Sequence, residues 1–432
     1  MFIVRRAIEN PILVPRRENP WEAFGAYNPS VVKAPEGGIK LFYRALADPS
    51  APVSPYAGQS TVGLALSEDG AHFHSRRQVL APAELWDAFG CEDPRATFFE
   101  GKWYLFYTAL GGYPFGPDNI KVACAVGSAP DRFEERHLVT PFNAKAATLF
   151  PERIDGDIVL LLTAHTDHTD QYPRPTIAIA RAKDMGDFWN PGYWDAWHEK
   201  LAEHAIADLR RSDADHIEVG APPLKTDRGW LLFYSYIQNY YDERKRVFGV
   251  EAALLDITDP RKSLAHTYPF LVPEEIYELY GTVPNIVFPT GVLAEGNELS
   301  LYYGAADTTC AKASIKLDDL LSTLDPTPDA HAFARAAENP ILSPRGDSFE
   351  SRACFNAAAI ELRGSVHLLY RAMSADNTST FGYARSEDGI RIDERLDVPA
   401  YAPRADFEMK KGGADGNSGC EDPRLVVIGD TV

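Results

Sequence analysis

Cysteine is scarce in this chain of 432 residues: Cys91, Cys124, Cys310, Cys354 and Cys420 are odd in number, scattered and form no Cys-x-x-Cys pair. That excludes a disulfide framework and a thiolate zinc site, and reads as reduced thiols in a cytoplasmic protein. No apolar run approaches the roughly 18 residues needed to span a bilayer, so no membrane partner is expected. The start, Met1-Phe-Ile-Val-Arg-Arg6, lacks the apolar core of a signal peptide. Positive charge is short as well: 43 basic residues face 62 acidic ones, a formal charge of −19. Such a surface repels polyphosphate backbones and argues against nucleic acid as a partner. Also missing are a glycine-rich phosphate loop, a catalytic-serine elbow and a His-Glu-x-x-His motif.

What is present is repetition. A proline, a short gap, a glycine and a strand-like aromatic run recur five times, with the glycines at Gly38, Gly101, Gly156, Gly229 and Gly296. Their spacings of 63, 55, 73 and 67 residues suit a repeated β-sheet unit. Each glycine marks a hairpin turn, and a second strand usually follows, as in Val62-Gly-Leu-Ala-Leu66. Strand, turn and strand at this interval fit four-stranded blades better than a sandwich, so the expectation is an all-β, five-bladed β-propeller. One segment departs from the pattern. Between Pro191 and Arg211, the residues Trp194, Trp197, Leu201, Ala205 and Leu209 share a helical face, which predicts one inserted amphipathic helix.

After Leu324 the chain starts over. Glu338-Asn-Pro-Ile-Leu342 repeats Glu9-Asn-Pro-Ile-Leu13, and Gly419-Cys-Glu-Asp-Pro-Arg424 repeats Gly90-Cys-Glu-Asp-Pro-Arg95, both at an offset of 329 residues. The expected division is a catalytic propeller over 1–325, a turn-rich linker over 326–335, and over 336–432 a truncated start of a second propeller, about one and a half blades. Open sheet edges on such a partial ring allow a homo-oligomer.

Tracing back from each proline gives the polar residues Asn28, Asp93 with Arg95, Lys145 and Glu218; Asn285 precedes the fifth proline and Asp307 follows its strand. Innermost propeller strands bring such positions together. Two carboxylates there, Asp93 and Glu218, supply the acid and base of glycosidic cleavage, while Arg44, Arg95 and Lys145 can bind hydroxyls or hold a carboxylate ionised. Each also has a plainer reading: Asp93-Pro94 as an Asx turn, Glu218 as a solvated charge, Arg44 as a strand-end surface charge. The cluster His165-Thr-Asp-His168 has the composition of a metal site without its ligand spacing, so no metal and no organic cofactor is expected.

Glu92-Asp-Pro-Arg95, Phe150-Pro-Glu152, Gly220-Ala-Pro-Pro-Leu-Lys225, Val283-Pro-Asn-Ile-Val-Phe-Pro289 and Tyr303-Gly-Ala-Ala-Asp-Thr308 together resemble glycoside hydrolase family 130, over about residues 7 to 322. That family contains β-mannoside phosphorylases and β-1,2-mannosidases. The resemblance implies a five-bladed propeller with Asp93 as general acid, its proton passing through a mannose hydroxyl, and a β-mannoside oligosaccharide as substrate. It also places Asn28, Arg44, Arg95 and Asp307 among the residues that grip mannose. A His-Arg pair that phosphorylases of the family use for the anion falls here on about Leu162 and Thr163, and a further arginine on about Lys121. Phosphate needs forked, charge-assisted donors, which leucine and threonine lack. Asn143-Ala-Lys-Ala146 with Thr163-Ala-His-Thr-Asp167 resembles the hydrolytic branch, which adds Lys145, His165 and Asp167 to the substrate-binding set.

The reading reached from sequence is therefore an inverting, exo-acting β-1,2-mannosidase. Asp93 is its acid and Glu218 its base, roughly 6.5–9.5 Å apart with a water between them. Asp187 is a weaker second base. The rivals are an inverting mannoside phosphorylase that makes mannose 1-phosphate, and a propeller that binds sugar without cleaving it.

Overall fold

The computed structural model describes residues 2–50, 58–166, 174–324, 336–409, 418–429 and 431–432. Asp167, His168 and the expected linker 326–335 lie outside the described residues. The chain divides into two compact units, Met1–Pro328 and Asp329–Val432.

The first unit is mostly β. Strands Gly25–Lys33, Ile39–Leu46, Ser60–Ser67 and His74–Leu80 form an antiparallel group, and Gly90–Phe99, Lys102–Leu110, Ile120–Ala129 and Arg132–Leu138 form the next. One parallel bridge, Ser60 to Gly90, joins them into a single eight-stranded sheet. A three-stranded sheet follows (Ala144–Leu149, Ile158–Ala164, Thr176–Ala182), then a five-stranded one built around Gly229–Gln238 and opening with His216–Val219. The last contains Val287–Glu295, Glu298–Ala305 and Thr309–Lys316, and takes the N-terminal strand Arg5–Arg6 as its fourth member. Among the described residues none of these sheets closes on itself, so the mostly-β character expected from the repeats is met while a closed five-bladed ring is not established.

Central strands such as Lys102–Leu110 and Ile158–Ala164 are buried almost from end to end, which is why they read as continuous apolar runs rather than alternating ones. The glycine of the repeated phrase turns the chain between strands; Gly101 (φ 83°) and Gly156 (φ 80°) adopt the left-handed backbone that a side chain disfavours.

A second backbone device repeats. The strand that opens three successive groups carries a β-bulge, between Tyr27 and Ser30, Glu92 and Arg95, and Lys145 and Thr148. In each, one residue is left-handed: Asn28 (φ 50°), Asp93 (φ 49°) and Ala146 (φ 51°). A bulge interrupts the two-residue alternation of a strand and re-aims its side chains. The Asx turn weighed for Asp93-Pro94 is thus replaced by a bulge within a strand.

The single helix expected between Pro191 and Arg211 is broken. A 3-10 turn, Met185–Trp189, leads into helix α1, Pro191–His198, and a short helix α2, Leu201–His204. Ala205 is extended (φ −67°, ψ 143°), because it bridges to Ala178 and Ile206 N–H donates to Ile177 O at 2.9 Å. Pairing with the neighbouring sheet outweighs helix propensity there. The tryptophans do anchor the insertion: Trp194 and Trp197 are buried, and their indole N–H groups donate to Phe188 O (2.9 Å) and Ile179 O (3.0 Å).

The second unit holds one sheet, built on Ala353–Leu362, Ser365–Met373 and Thr378–Ser386, with Glu394–Arg395 and Ser418–Gly419 paired to the last of these. All five cysteines are free. No helix among the described residues is long and apolar enough to cross a membrane.

Trp194→Ala should destabilise the first unit by about 3–5 kcal/mol, since it empties a fully buried indole site and strands the Phe188 carbonyl. Urea unfolding followed by tryptophan fluorescence measures it.

Candidate functional site

The bulged strands converge on a cavity of about 360 Å3. Asn28, Arg44, Asp93, Lys145, Glu218 and Asp307, which sequence reading spread over the five repeats, all line it. In all, four carboxylates (Glu92, Asp93, Glu218, Asp307) face three cations (Arg44, Lys145, Arg246).

At one side stands Asp93. Asn28 Nδ2 donates to its Oδ1 at 2.7 Å, and Arg44 Nη1 lies 3.5 Å from the same oxygen. Arg44 also pairs with Glu92 and donates from Nε to Ser60 Oγ at 3.0 Å. In an unbroken strand Glu92 and Asp93 would point to opposite faces; the bulge lets one guanidinium reach both. Asn28 Oδ1 is buried without a hydrogen-bond partner among the described residues. It is an acceptor suited to a ligand hydroxyl. Gly304 makes this packing possible, because a Cβ there would sit 1.9 Å from Asn28 Oδ1.

Opposite stands Glu218, on the short strand His216–Val219. Burial alone would raise its pKa, yet Lys145 Nζ at 2.5 Å, with His216, holds it down to about 2. It is therefore ionised at neutral pH and a weak base. Lys145, although burial opposes its charge, is raised by the same pairing. His216 Nε2 lies 3.7 Å from Glu218, beyond hydrogen-bond reach, and its ring stacks on Tyr240 at 4.4 Å. Asp307 behaves differently: burial pushes it up to about 7, Arg44 pulls against this, and Asp93, Glu92 and Glu218 add to it.

Three expected members are elsewhere. Arg95 is fully buried behind the cavity wall and donates to the carbonyls of Gly220 (2.6 Å), Asp93 (2.7 Å) and Val219 (3.2 Å). Expected to bind hydroxyls, it instead ties the strand of Asp93 to that of Glu218. His165 faces another cleft, where its Nε2 meets His198 Nε2 at 3.2 Å. Asp187 shares a capping box with Asp184 at the turn before α1 and does not line the cavity. The fourth, Asp167, falls outside the described residues. A larger cleft of about 690 Å3 beside the helical insertion holds none of the predicted residues. Among the described residues no group of three His, Cys, Asp or Glu is placed to hold a metal.

Sequence reading missed Glu92, His216, Tyr240 and Arg246. Glu92 precedes Asp93 in both copies of Glu-Asp-Pro-Arg, and His216 shares a strand face with Glu218 two residues on; both signals were available. Tyr240 and Arg246 come from the charged connection after Gly229–Gln238, where no periodic pattern applies.

The sequence profile of glycoside hydrolase family 130, described as beta-1,4-mannooligosaccharide phosphorylase, matches residues 7–326. A beta-1,2-mannobiose phosphorylase of Thermoanaerobacter sp. (strain X514) is 32% identical over 326 residues, covering 73% of this chain and 98% of the relative. A 1,2-beta-oligomannan phosphorylase of the same organism is 29% identical over 323 residues, covering 74% of this chain and 99% of the relative. Among solved structures, the Listeria innocua beta-1,2-mannobiose phosphorylase in complex with beta-1,2-mannobiose superposes with a TM-score of 0.59. It is 24% identical and covers 74% of this chain and 99% of its own. A second, described under the statement that these mannoside phosphorylases include glycoside hydrolases targeting beta-1,2 mannosidic linkages in Candida mannan, has a TM-score of 0.57. Its identity is 21%, and it covers 72% of this chain and 93% of its own.

Two outcomes follow from the geometry. Gly304→Ala should displace Asn28 from Asp93 and lower kcat on the order of 10²-fold, with little loss of folded protein; steady-state kinetics beside a thermal melt separate the two. Asp307, ordinarily near 3.8 and here about 7, makes the folded state hold an extra proton between those values. Stability should therefore fall as pH rises from 4 to 7, and Asp307→Asn should remove that part of the slope in urea titrations at several pH values.

Proposed function

Because the chain belongs to glycoside hydrolase family 130, we propose that its first unit cleaves β-mannosides, most readily β-1,2-linked ones, by a single inverting displacement. The observation that carries this is Asp93, held by Asn28 and Arg44 at the wall of a cavity whose opposite side is cationic and carboxylate-bearing. Asp93 is the proton source for the departing sugar oxygen. Asn28, Arg44 and Asp307 hold the mannosyl hydroxyls, and Asn28 Oδ1 accepts from one of them. The five groups of strands are the blades of one propeller, a reading supported by the pairing of the N-terminal strand with the last sheet.

The relatives favour phosphate as the attacking group, which makes mannose 1-phosphate the product. Arg246 suits this role. It lines the cavity, packs against Tyr240 and Phe248, and has no carboxylate partner among the described residues. Lys145 adds a second positive charge once its pairing with Glu218 loosens. The alternative, attack by water, is favoured by Glu218 itself, because an ionised carboxylate beside Lys145 cancels the charge that would attract a dianion. Leu162 and Thr163, at the positions where the resemblance expects a His-Arg pair, are buried within Ile158–Ala164 and supply no cation. On balance phosphorolysis is the reading adopted, since it rests on relatives matched along nearly their whole length.

Incubation with β-1,2-mannobiose, with and without phosphate, tests it. Mannose 1-phosphate formed only with phosphate supports phosphorolysis, whereas free mannose formed at the same rate in both overturns it in favour of water. In either case Asp93→Asn should lower kcat by about 10²–10⁴-fold while substrate still binds. An unchanged kcat would remove Asp93 from the chemistry.

A further inference from the structure

The second unit repeats the immediate surroundings of Asp93. Asn356 Nδ2 donates to Asp422 Oδ1 at 2.7 Å, the same length as Asn28 to Asp93. Arg371 Nε donates to Ser379 Oγ at 3.0 Å, as Arg44 does to Ser60. Arg371 pairs with Glu421 at 2.5 Å and lies 3.4 Å from Asp422, reproducing the fork that Arg44 extends to Glu92 and Asp93. Beneath it, the guanidinium covers Phe355 at 4.7 Å, where Arg44 covers Tyr27 at 5.0 Å. The backbone matches too. Asn356 and Asp422 are both left-handed at φ 51°, and a bulge lies between Phe355 and Ala358.

One difference sets this copy apart. Its carboxylates are open, with side-chain exposures of 43% for Asp422 and 41% for Glu421 against 14% and 16% for Asp93 and Glu92. The single sheet described in the second unit carries the counterparts of Asn28 and Arg44, and the segment after it the counterpart of Asp93. A donor fork, an amide and a carboxylate aimed at one point still match the paired donors and acceptors of neighbouring sugar hydroxyls. Hydrogen bonding to Asn356 keeps Asp422 below the usual carboxylate range, which suits an acceptor better than an acid.

The geometry points to a second sugar site on the second unit, in which Asn356, Arg371 and Asp422 bind the hydroxyls of a terminal β-hexopyranoside of the class cleaved by the first unit. It rests on the reading that Asn28, Arg44 and Asp93 contact sugar in the first. With its carboxylates open to water, its affinity is at least about tenfold weaker than that of the cavity.

The test uses the full chain with the first cavity silenced by Arg44→Ala and Asp93→Asn, titrated with methyl β-mannopyranoside and followed by ligand-observed NMR. Weak residual binding is expected, and adding Arg371→Ala should abolish it. Should that change unfold the second unit in a thermal melt, Asn356→Ala, which leaves the ion pairs intact, replaces it and should weaken the residual binding at least about fivefold. Residual binding that is absent, or unmoved by the second-unit changes, overturns the proposal. Failure of the first-unit reading looks different: total binding would then be undiminished by Arg44→Ala and Asp93→Asn.

Discussion

The site depends on a backbone constraint: one left-handed residue within a bulge of three successive opening strands. A left-handed non-glycine residue costs on the order of 1 kcal/mol and persists only where its surroundings over-determine it. Here they do. The strand Gly90–Phe99 pairs with Lys102–Leu110 on both sides of the interruption, and Arg95 fastens it to the carbonyls of Val219 and Gly220. The same guanidinium holds the Asp93 carbonyl, so one buried side chain fixes the distance between the two acidic strands. Loss of a buried, fully hydrogen-bonded arginine leaves several polar groups stranded at once, and this makes the wall stiff.

Stiffness matters because the cavity is electrically crowded. Four carboxylates share a small volume, and their surroundings divide them into different states. Glu218 is pinned in its charged form by Lys145, whereas Asp307 is poised near neutrality by burial among like charges. Glu92, raised by burial and by Asp93 against the pull of Arg44, acts as a counterweight that keeps Arg44 charged and oriented. Separation of neighbouring acids into distinct protonation states is how a site arranges acid–base roles without a metal.

Much of this was legible in the sequence. Five turn glycines marked the strand groups, the repeated Glu-Asp-Pro-Arg marked the duplication, and six of the expected site residues meet in one cavity. What was not legible follows from how side chains are aimed. Period-two reasoning sends Glu92 and Asp93 to opposite faces, and only the bulge overrides it. Arg95 reads as a ligand-binding cation because a charge beside a candidate acid suggests solvent access, yet its bonds go to carbonyls of a strand about 125 residues away in sequence. The broken insertion failed for a similar reason: an apolar stripe records which residues are buried, and both a helix and an extended segment can bury Leu209.

The bulge also separates architecture from chemistry. At equivalent places it presents Asn28, Asp93 and Ala146 in the first unit, and Asn356 in the second, while the ladders on either side stay paired. Ala146 bears no functional group, so the kink does not require a polar side chain. Each position thus acts as an interchangeable socket, and descendants of this fold can acquire or discard reactivity one residue at a time without renegotiating how their sheets assemble.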